Sequence, residues 1–293
     1  MRFLVTGATG FLGWRACVVL GERGHEVVAT ARPGGAARAH AADLDVVRVD
    51  AADVAAQDLV AGCDAVLHFA GEPSPAGARA DPAGAVQRNA GTTLNLLEGC
   101  ARHGAALVYP SSIRATALVP PDPYAMSKRL GEEACRLHGA PATVVRLTSV
   151  FGPGQVTWEG ATGAIAAFAA RALTGQAISI PGDPERARDF LYVDDMVLAL
   201  EGIASQGDWG RTLTLGSGTA TPLRRAAELV RDAAGTDIPI HTPGGELAPG
   251  ENLSYAAEPD RVPGASVRPL EEAVPLYVDW LRRHPAAQGR ARG

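Results

Sequence analysis

The chain has 293 residues, 46% of them hydrophobic and 20% charged, with a net charge of −5. This is the composition of a soluble globular protein with a substantial core. The negative balance argues against general nucleic-acid binding, and no apolar run reaches membrane-spanning length.

The run Phe3-Leu4-Val5 predicts a strand over Arg2–Thr6, and Trp14, Cys17, Val18 and Leu20 recur at helical spacing, predicting a helix over Phe11–Glu22. Between them stand Gly7, Gly10 and Gly13. A strand, a tight glycine turn and a helix start suit a dinucleotide pyrophosphate: Gly7 allows the turn, Gly10 admits the phosphates to backbone N–H groups, and Gly13 lets the helix pack closely. Further strands are expected at Glu26–Ala31, Val46–Val49, Ala65–Phe69, Ala106–Tyr109 and Thr143–Leu147, with helices at Ala83–Arg102 and Tyr124–Leu137. Several of these strands are continuous apolar runs, as strands buried on both faces require. The alternation predicts an α/β fold with a doubly wound parallel Rossmann sheet and ligands at the strands' C-terminal ends.

The second strand ends Ala29-Thr30-Ala31-Arg32. An acidic residue there would hold a ribose 2′-OH and select NAD. Arg32 instead suits a 2′-phosphate, so NADP(H) is favoured over NAD(H). Tyr124 and Lys128 are four apart on a predicted helix and share a face. An ammonium about 4 Å from a phenol contributes roughly 4 kcal/mol at an effective dielectric of about 20. That would bring a phenol of pKa about 10 toward neutrality, fit for general acid–base work.

Beyond Gly152 the pattern changes. Turns at Gly152-Pro153-Gly154, Pro181-Gly182-Asp183-Pro184 and Pro243-Gly244-Gly245 separate shorter elements. A helix near Gly163–Thr174, strands near Ile178–Ile180 and Thr212–Leu215, and helices near Leu223–Ala234 and Leu270–Arg283 are expected. The division expected is a dinucleotide-binding domain over 1–152 and a smaller mixed α/β substrate lobe over 153–293 that returns elements to the main sheet. The tail from Pro285 is expected to fray. Cys17, Cys63, Cys100 and Cys135 form no CxxC pair and read as buried hydrophobes, so neither a metal site nor a disulfide framework is expected. There is no HExxH pair and no GxSxG elbow. No signal peptide precedes Met1, so a cytoplasmic location is expected.

The stretch TGATGFLG, with its GxxGxxG spacing, and the segment Tyr124-Ala125-Met126-Ser127-Lys128 resemble the short-chain dehydrogenase/reductase superfamily. The likeness is to its extended branch, the NAD(P)-dependent epimerases, dehydratases and reductases. The resemblance implies cofactor contacts from Gly7, Thr9, Gly10, Phe11, Leu12 and Gly13, from Asp50-Ala51 after the third strand, from Phe69-Ala70 after the fourth, and from Asn89. It implies catalysis by Ser112, Tyr124 and Lys128, with Ser112 orienting the substrate oxygen and Lys128 also contacting the nicotinamide ribose. Arg146–Gly154 and Arg188–Asp195 resemble nucleotide-sugar epimerases, where the residue matching Arg188 meets the substrate diphosphate; Asp194-Asp195 is also expected to cap the next helix. Sugar 4,6-dehydratases carry an Asp-Glu pair after the catalytic Ser or Thr. Here Ile113 and Arg114 stand there, and only eleven residues separate Ser112 from Tyr124, a short loop for the family.

The expectation is therefore an NADP(H)-dependent reductase or dehydrogenase acting on a nucleotide-linked keto-sugar. The alternatives are an epimerase that retains NAD and a non-catalytic NAD(P)-sensing protein. A homodimer, with no nucleic-acid or membrane partner, is expected.

Overall fold

The computed structural model describes residues 1–35, 38–117, 120–159, 162–247, 254–262 and 265–285. The tail beyond 285, where fraying is expected, lies outside them. Two compact units are present. One comprises Met1–Leu147, Met196–Leu215 and Asp260–Ala265; the other comprises Thr148–Asp195, Gly216–Pro259 and Ser266–Gly293.

The first unit opens with β1 (Arg2–Thr6), α1 (Phe11–Glu22), β2 (Glu26–Ala31), β3 (Val47–Arg48), α2 (Ala55–Asp58) and β4 (Ala65–His68). It continues with α3 (Pro75–Ala80), α4 (Pro82–Val86), α5 (Thr92–His103), β5 (Ala106–Ser112), α6 (Pro123–His138) and β6 (Ala142–Leu147). With a later strand, β11 (Thr212–Leu215), these form a seven-stranded sheet in the order β11-β6-β5-β4-β1-β2-β3. Every neighbouring pair is parallel. Successive strands run outward from β1 in both directions, so the strand order reverses between β1 and β4, the place where such sheets bind ligands. All residues of β4 and β5 are buried, which explains why their sequences lack a polar alternation. Leu4, Val66, Leu96, Leu97, Cys100, Leu107 and Val144 pack into one core.

Several elements differ from expectation: β5 runs on to Ser112, three residues past Tyr109, α6 begins at Pro123, and α2 and α3 are additional to the expected helices. Two further departures have a clear cause. The third strand keeps only Val47 and Arg48, both exposed, because it is an edge strand with β2 as its one partner. The helix expected over Ala83–Arg102 is α4 and α5 joined by a π turn at Gln87–Gly91. Its displaced carbonyls are taken up by hydroxyls: Thr92 donates to Arg88 O at 2.6 Å and Thr93 to Asn89 O at 2.6 Å.

The second unit holds β7 (Ser149–Phe151), α7 (Ala164–Leu173), β8 (Ile178–Pro181), β9 (Ala187–Arg188) and β10 (Phe190–Tyr192). Helix α8 (Val193–Gln206) begins in it and continues into the first unit. Then come β12 (Thr221–Pro222), α9 (Leu223–Ala234), β13 (Ile240–Gly244) and α10 (Leu270–Arg282). The strands form three two-stranded pairs: β7 with β10, β8 with β13, and β9 with β12. Leu223, Ala226, Ala227 and Val230 form one buried stripe on α9 and pack with Phe168, Ile178, Tyr277 and Leu281.

His68, the last residue of β4, links strand to helix through a chain of hydroxyls. Because Thr92 spends its proton on Arg88, its oxygen accepts from His68 Nε2–H at 3.1 Å. His68 Nδ1 then accepts from Thr6 Oγ–H at 2.8 Å, and Thr6 Oγ accepts from Ala70 N–H at 3.1 Å. The network therefore requires a neutral ring. Burial, aided by the Lys128 charge, lowers its pKa from 6.5 to about 3. In the unfolded chain the ring protonates near pH 6.5, so His68 contributes its full stability above that pH. The contribution is lost as pH falls toward about 3, at up to ~1.4 kcal/mol per unit. The stability difference between wild type and His68→Gln should therefore shrink as urea denaturation is repeated from about pH 6.5 down to about pH 4.5. A difference independent of pH would contradict the neutral-ring assignment.

Candidate functional site

The glycine turn at the start of the first unit is built by steric necessity. Gly7 has φ +67°, and a Cβ there would lie 2.8 Å from Ala70 N and Phe69 C, so the β1–α1 turn rests directly on the end of β4. A Cβ on Gly13 would lie 2.4 Å from Gly7 O. Gly10 N donates to Gly7 O at 2.9 Å and caps α1 in extended conformation, with no side chain covering the helix end. The first-turn N–H groups at Phe11, Leu12 and Gly13 therefore have no intrahelical acceptor, and the helix dipole adds positive potential. Glycine backbone where a phosphate must approach, with uncovered amides beyond it, fits a dinucleotide pyrophosphate.

Around that turn, Arg32 directly follows β2 and is exposed, with no ion-pair partner among the described residues. Asp50 closes its own loop by accepting from Ala52 N at 3.0 Å, and Ala51 O accepts from Asn95 Nδ2 at 2.8 Å. Asn89 sits in the π turn, buried. Its oxygen accepts from Glu72 N at 2.8 Å; its nitrogen donates to Ser127 Oγ at 2.8 Å and to Glu72 O at 3.3 Å. Ser127 in turn donates to Tyr124 O at 2.8 Å. The amide of Asn89 thus ties the loop after β4 to the first turn of α6.

Ser112 ends β5, and its Oγ accepts from Arg114 N at 3.2 Å. Tyr124 and Lys128 lie on α6, whose N-cap is Asp122 followed by Pro123. Asp122 accepts from Ala125 N at 2.8 Å with one oxygen and pairs with Arg114 through the other, fastening the turn after Ser112 to the start of α6. Lys128 Nζ donates to Pro110 O at 2.9 Å, two residues before Ser112, and lies 5.0 Å from the Tyr109 ring centroid. A Cβ on Gly131 would lie 2.2 Å from the Tyr109 hydroxyl oxygen, so the helix meets the strand at close range. These ties bring the end of β5 and the first turns of α6 together. Desolvation lowers Lys128 from 10.5 to about 8, opposed by the Glu132 charge. The sequence contains no other lysine.

In the second unit, Arg188 lies on β9 with its guanidinium 5.2 Å from the Tyr255 ring centroid and donates to Ala187 O at 3.0 Å. The Tyr255 hydroxyl meets Ser149 Oγ at 2.7 Å. Asp189 is fully buried. It accepts from Ser217 N and Oγ, both at 2.8 Å, from Gly218 N at 2.9 Å and from Ala257 N at 3.0 Å. Such a saturated carboxylate is an anchor that fixes the backbone beside Arg188. Asp195, in the first turn of α8, accepts from Arg268 N at 2.7 Å and pairs with its guanidinium at 3.1 Å.

Sequence reasoning passed over Glu132. It accepts from Ser111 Oγ at 2.6 Å and is gripped by Arg146 at 3.0 and 2.6 Å. The one available signal was its position four residues after Lys128. All four cysteines are buried, with burial raising their thiols, to about 12 for Cys17, Cys100 and Cys135. Among the described residues no His, Cys, Asp and Glu cluster could hold a metal, and no helix is long and apolar enough to cross a membrane.

Residues 3–216 match the model of the NAD dependent epimerase/dehydratase family. The chain is 30% identical to a dTDP-glucose 4,6-dehydratase of Streptomyces niveus, over 98% of this chain and 94% of the relative. It is 28% identical to a dTDP-4-dehydro-6-deoxy-D-allose reductase of Streptomyces bikiniensis, over 96% of each. The crystal structure of UDP-glucose 4-epimerase from Thermotoga maritima with UDP-glucose superposes with a TM-score of 0.86. It covers 97% of this chain and 99% of that one at 25% identity. A family match over most of the chain agrees with the parallel sheet, the GxxGxxG turn and the Tyr–Lys helix: this protein belongs to the NAD dependent epimerase/dehydratase family and is an NAD(P)-dependent enzyme of the extended short-chain dehydrogenase/reductase superfamily.

Proposed function

We propose that the protein is an NADP(H)-dependent reductase or dehydrogenase whose substrate is a nucleotide-linked keto-sugar. The observation that carries the reading is the fastening of Ser112 at the end of β5 to the first turns of α6, which bear Tyr124 and Lys128. Ser112 Oγ has a proton left to donate and would orient the reacting oxygen. Tyr124 would exchange the proton with that oxygen. The Lys128 ammonium, largely charged at neutral pH, would stabilise the phenolate. A bound nicotinamide cofactor supplies hydride exchange with the carbinol carbon. Gly7, Thr9, Gly10, Phe11, Leu12 and Gly13 would hold its pyrophosphate and Arg32 its 2′-phosphate, with Asp50, Ala51, Phe69 and Ala70 along the same sheet edge. Asn89 would act on that site through the Glu72 loop and Ser127.

Dehydration is disfavoured by the residues after Ser112. Ile113 and Arg114 occupy a 3-10 turn where the family's sugar dehydratases carry an acid pair, and the nearby Asp122 carboxylate is committed to its helix cap and to Arg114. A second reading, an epimerase retaining NAD, is favoured by the likeness to UDP-glucose 4-epimerase. The cofactor that co-purifies distinguishes them: exchangeable NADP(H) for the reductase, tightly held NAD for the epimerase. The exposed apolar side chains of Leu94 on α5 and Met126 and Leu130 on α6 support pairing of two copies through these helices.

Tyr124→Phe should remove nearly all turnover with either nicotinamide cofactor and leave cofactor affinity close to wild type. Substantial residual turnover on an identified substrate would end the proton-transfer assignment. Arg32→Ala should weaken NADPH far more than NADH in a fluorescence titration; equal losses would leave Arg32 as a solvated loop residue. Arg188→Ala should mainly raise KM for UDP- or dTDP-linked sugars, by roughly 10- to 150-fold for a charge-assisted contact of about 1.5–3 kcal/mol. Simple ketones should be indifferent to the change, and an unchanged KM for the nucleotide sugar would remove the diphosphate contact.

A further inference from the structure

One buried carboxylate of the sheet-bearing unit takes no part in the chemistry proposed above. Glu132 lies one turn beyond Lys128 on α6, and residues at this spacing share a helix face with Cβ atoms roughly 5–6 Å apart. Its oxygens are fixed by two neighbouring strands. Ser111 on β5 and Arg146 on β6 stand opposite each other in register, and both donate to Glu132. A buried ion pair contributes little net stability, because desolvation offsets its Coulomb energy. What this arrangement does secure is the location of a negative charge.

We propose that Glu132 is a positioning residue that keeps the Lys128 ammonium charged inside the site, while Arg146 and Ser111 hold its carboxylate in place. The proposal rests on the reading that Lys128 serves Tyr124.

The other groups facing Lys128 supply no comparable anion. His68 on β4 is neutral, and Tyr109 on β5 presents its ring. From α6 come Glu132, Cys135 and Tyr124. Burial raises the thiol of Cys135 to about 12, so it is uncharged at working pH. Arg146 on β6 is a cation, and it is engaged by Glu132 itself. Desolvation draws Lys128 down to about 8, and Glu132 is the foremost influence against that fall. Without Glu132 the ammonium would lose its proton at lower pH. The support it gives the Tyr124 phenolate would then fade earlier as pH rises.

Lys128 is the chain's one lysine, so protein labelled with carbon-13 at the lysine ε carbon gives a single side-chain resonance. Its pH titration in the intact protein reads the ammonium directly. Glu132→Gln should lower the midpoint by about one unit or more. Glu132→Asp, which keeps the charge, should lower it by less. The difference between the two variants is the signature, since a residue that only braced the fold would be replaced better by the isosteric Gln than by the shorter Asp. The basic limb of kcat/KM should follow the resonance, moving to lower pH in Glu132→Gln. An unchanged or raised midpoint in Glu132→Gln overturns the proposal, as does a fall in Glu132→Asp as large as that in Glu132→Gln. If Glu132→Gln fails to fold, the double variant Glu132→Gln/Arg146→Gln, which leaves no unpaired charge, decides alone: a lowered midpoint supports the proposal, and an unchanged or raised one overturns it. The titration needs no turnover, so it fails separately from the catalytic reading, which Tyr124→Phe tests.

Discussion

The carbonyl of Gly7 and the α-carbon of Gly13 leave no room between them for a methyl group. Much else in the first unit follows from that contact. It fixes the entry of α1 against β1, presses the turn onto the end of β4, and leaves the uncovered helix end at the place where strand order reverses. Side chains are excluded there by sterics, so the backbone itself provides the polar surface. The arrangement forgoes the side-chain cap that Ser, Thr, Asp or Asn would supply, a loss of roughly a few tenths of a kcal/mol where glycine stands instead, and in return has amides ready for an anion.

The proposed proton chemistry depends on something different: charges and polar side chains held by strands. Pro110, Ser111 and Ser112 are consecutive at the end of β5, and each has a partner on α6 or on the turn leading to it. The strand's carbonyl takes the lysine, one hydroxyl takes the glutamate, and the other faces the turn anchored by Asp122. Helix and strand therefore cannot slide past one another by a residue without breaking several buried polar contacts together. Such coupling suits a site in which displacements of an ångström cost orders of magnitude in rate.

Much of this was legible in the sequence, for identifiable reasons. Continuous apolar runs such as Ala65–Leu67 and Leu107-Val108 can be satisfied only by strands covered on both faces, and their spacing by helices made the parallel sheet the natural solution. The Tyr–Lys spacing spoke through helix geometry alone. What stayed hidden depends on register and on ends. Ser111 and Arg146 reach Glu132 from 21 and 14 residues away, and only the pairing of β5 with β6 places them opposite each other. Asp122-Pro123 is a helix-start signal, and it sets the beginning of α6 one residue before the position expected. The π turn was invisible because the spacing of Leu96, Leu97 and Cys100 beyond it reads as an ordinary helix.

That π turn can be understood as a single residue of slack wound into a helix. An α-helix advances by about 100° per residue, so one additional residue rotates everything downstream by that angle. In α5 this rotation brings the Thr92 hydroxyl to His68 and sends Leu96, Leu97 and Cys100 into the core. Were one residue between Gln87 and Gly91 lost, the helix would become regular and more stable as an isolated helix, yet it would present a different stripe to the sheet. The apolar residues and the histidine's partner would leave their places together. The irregularity thus acts as a phase adjustment between two parts of one helix: the front half is timed to the Glu72 loop and α6, the rear half to the core. Chain length is therefore constrained across this segment alongside the amide of Asn89, whose three hydrogen bonds hold the front half in place.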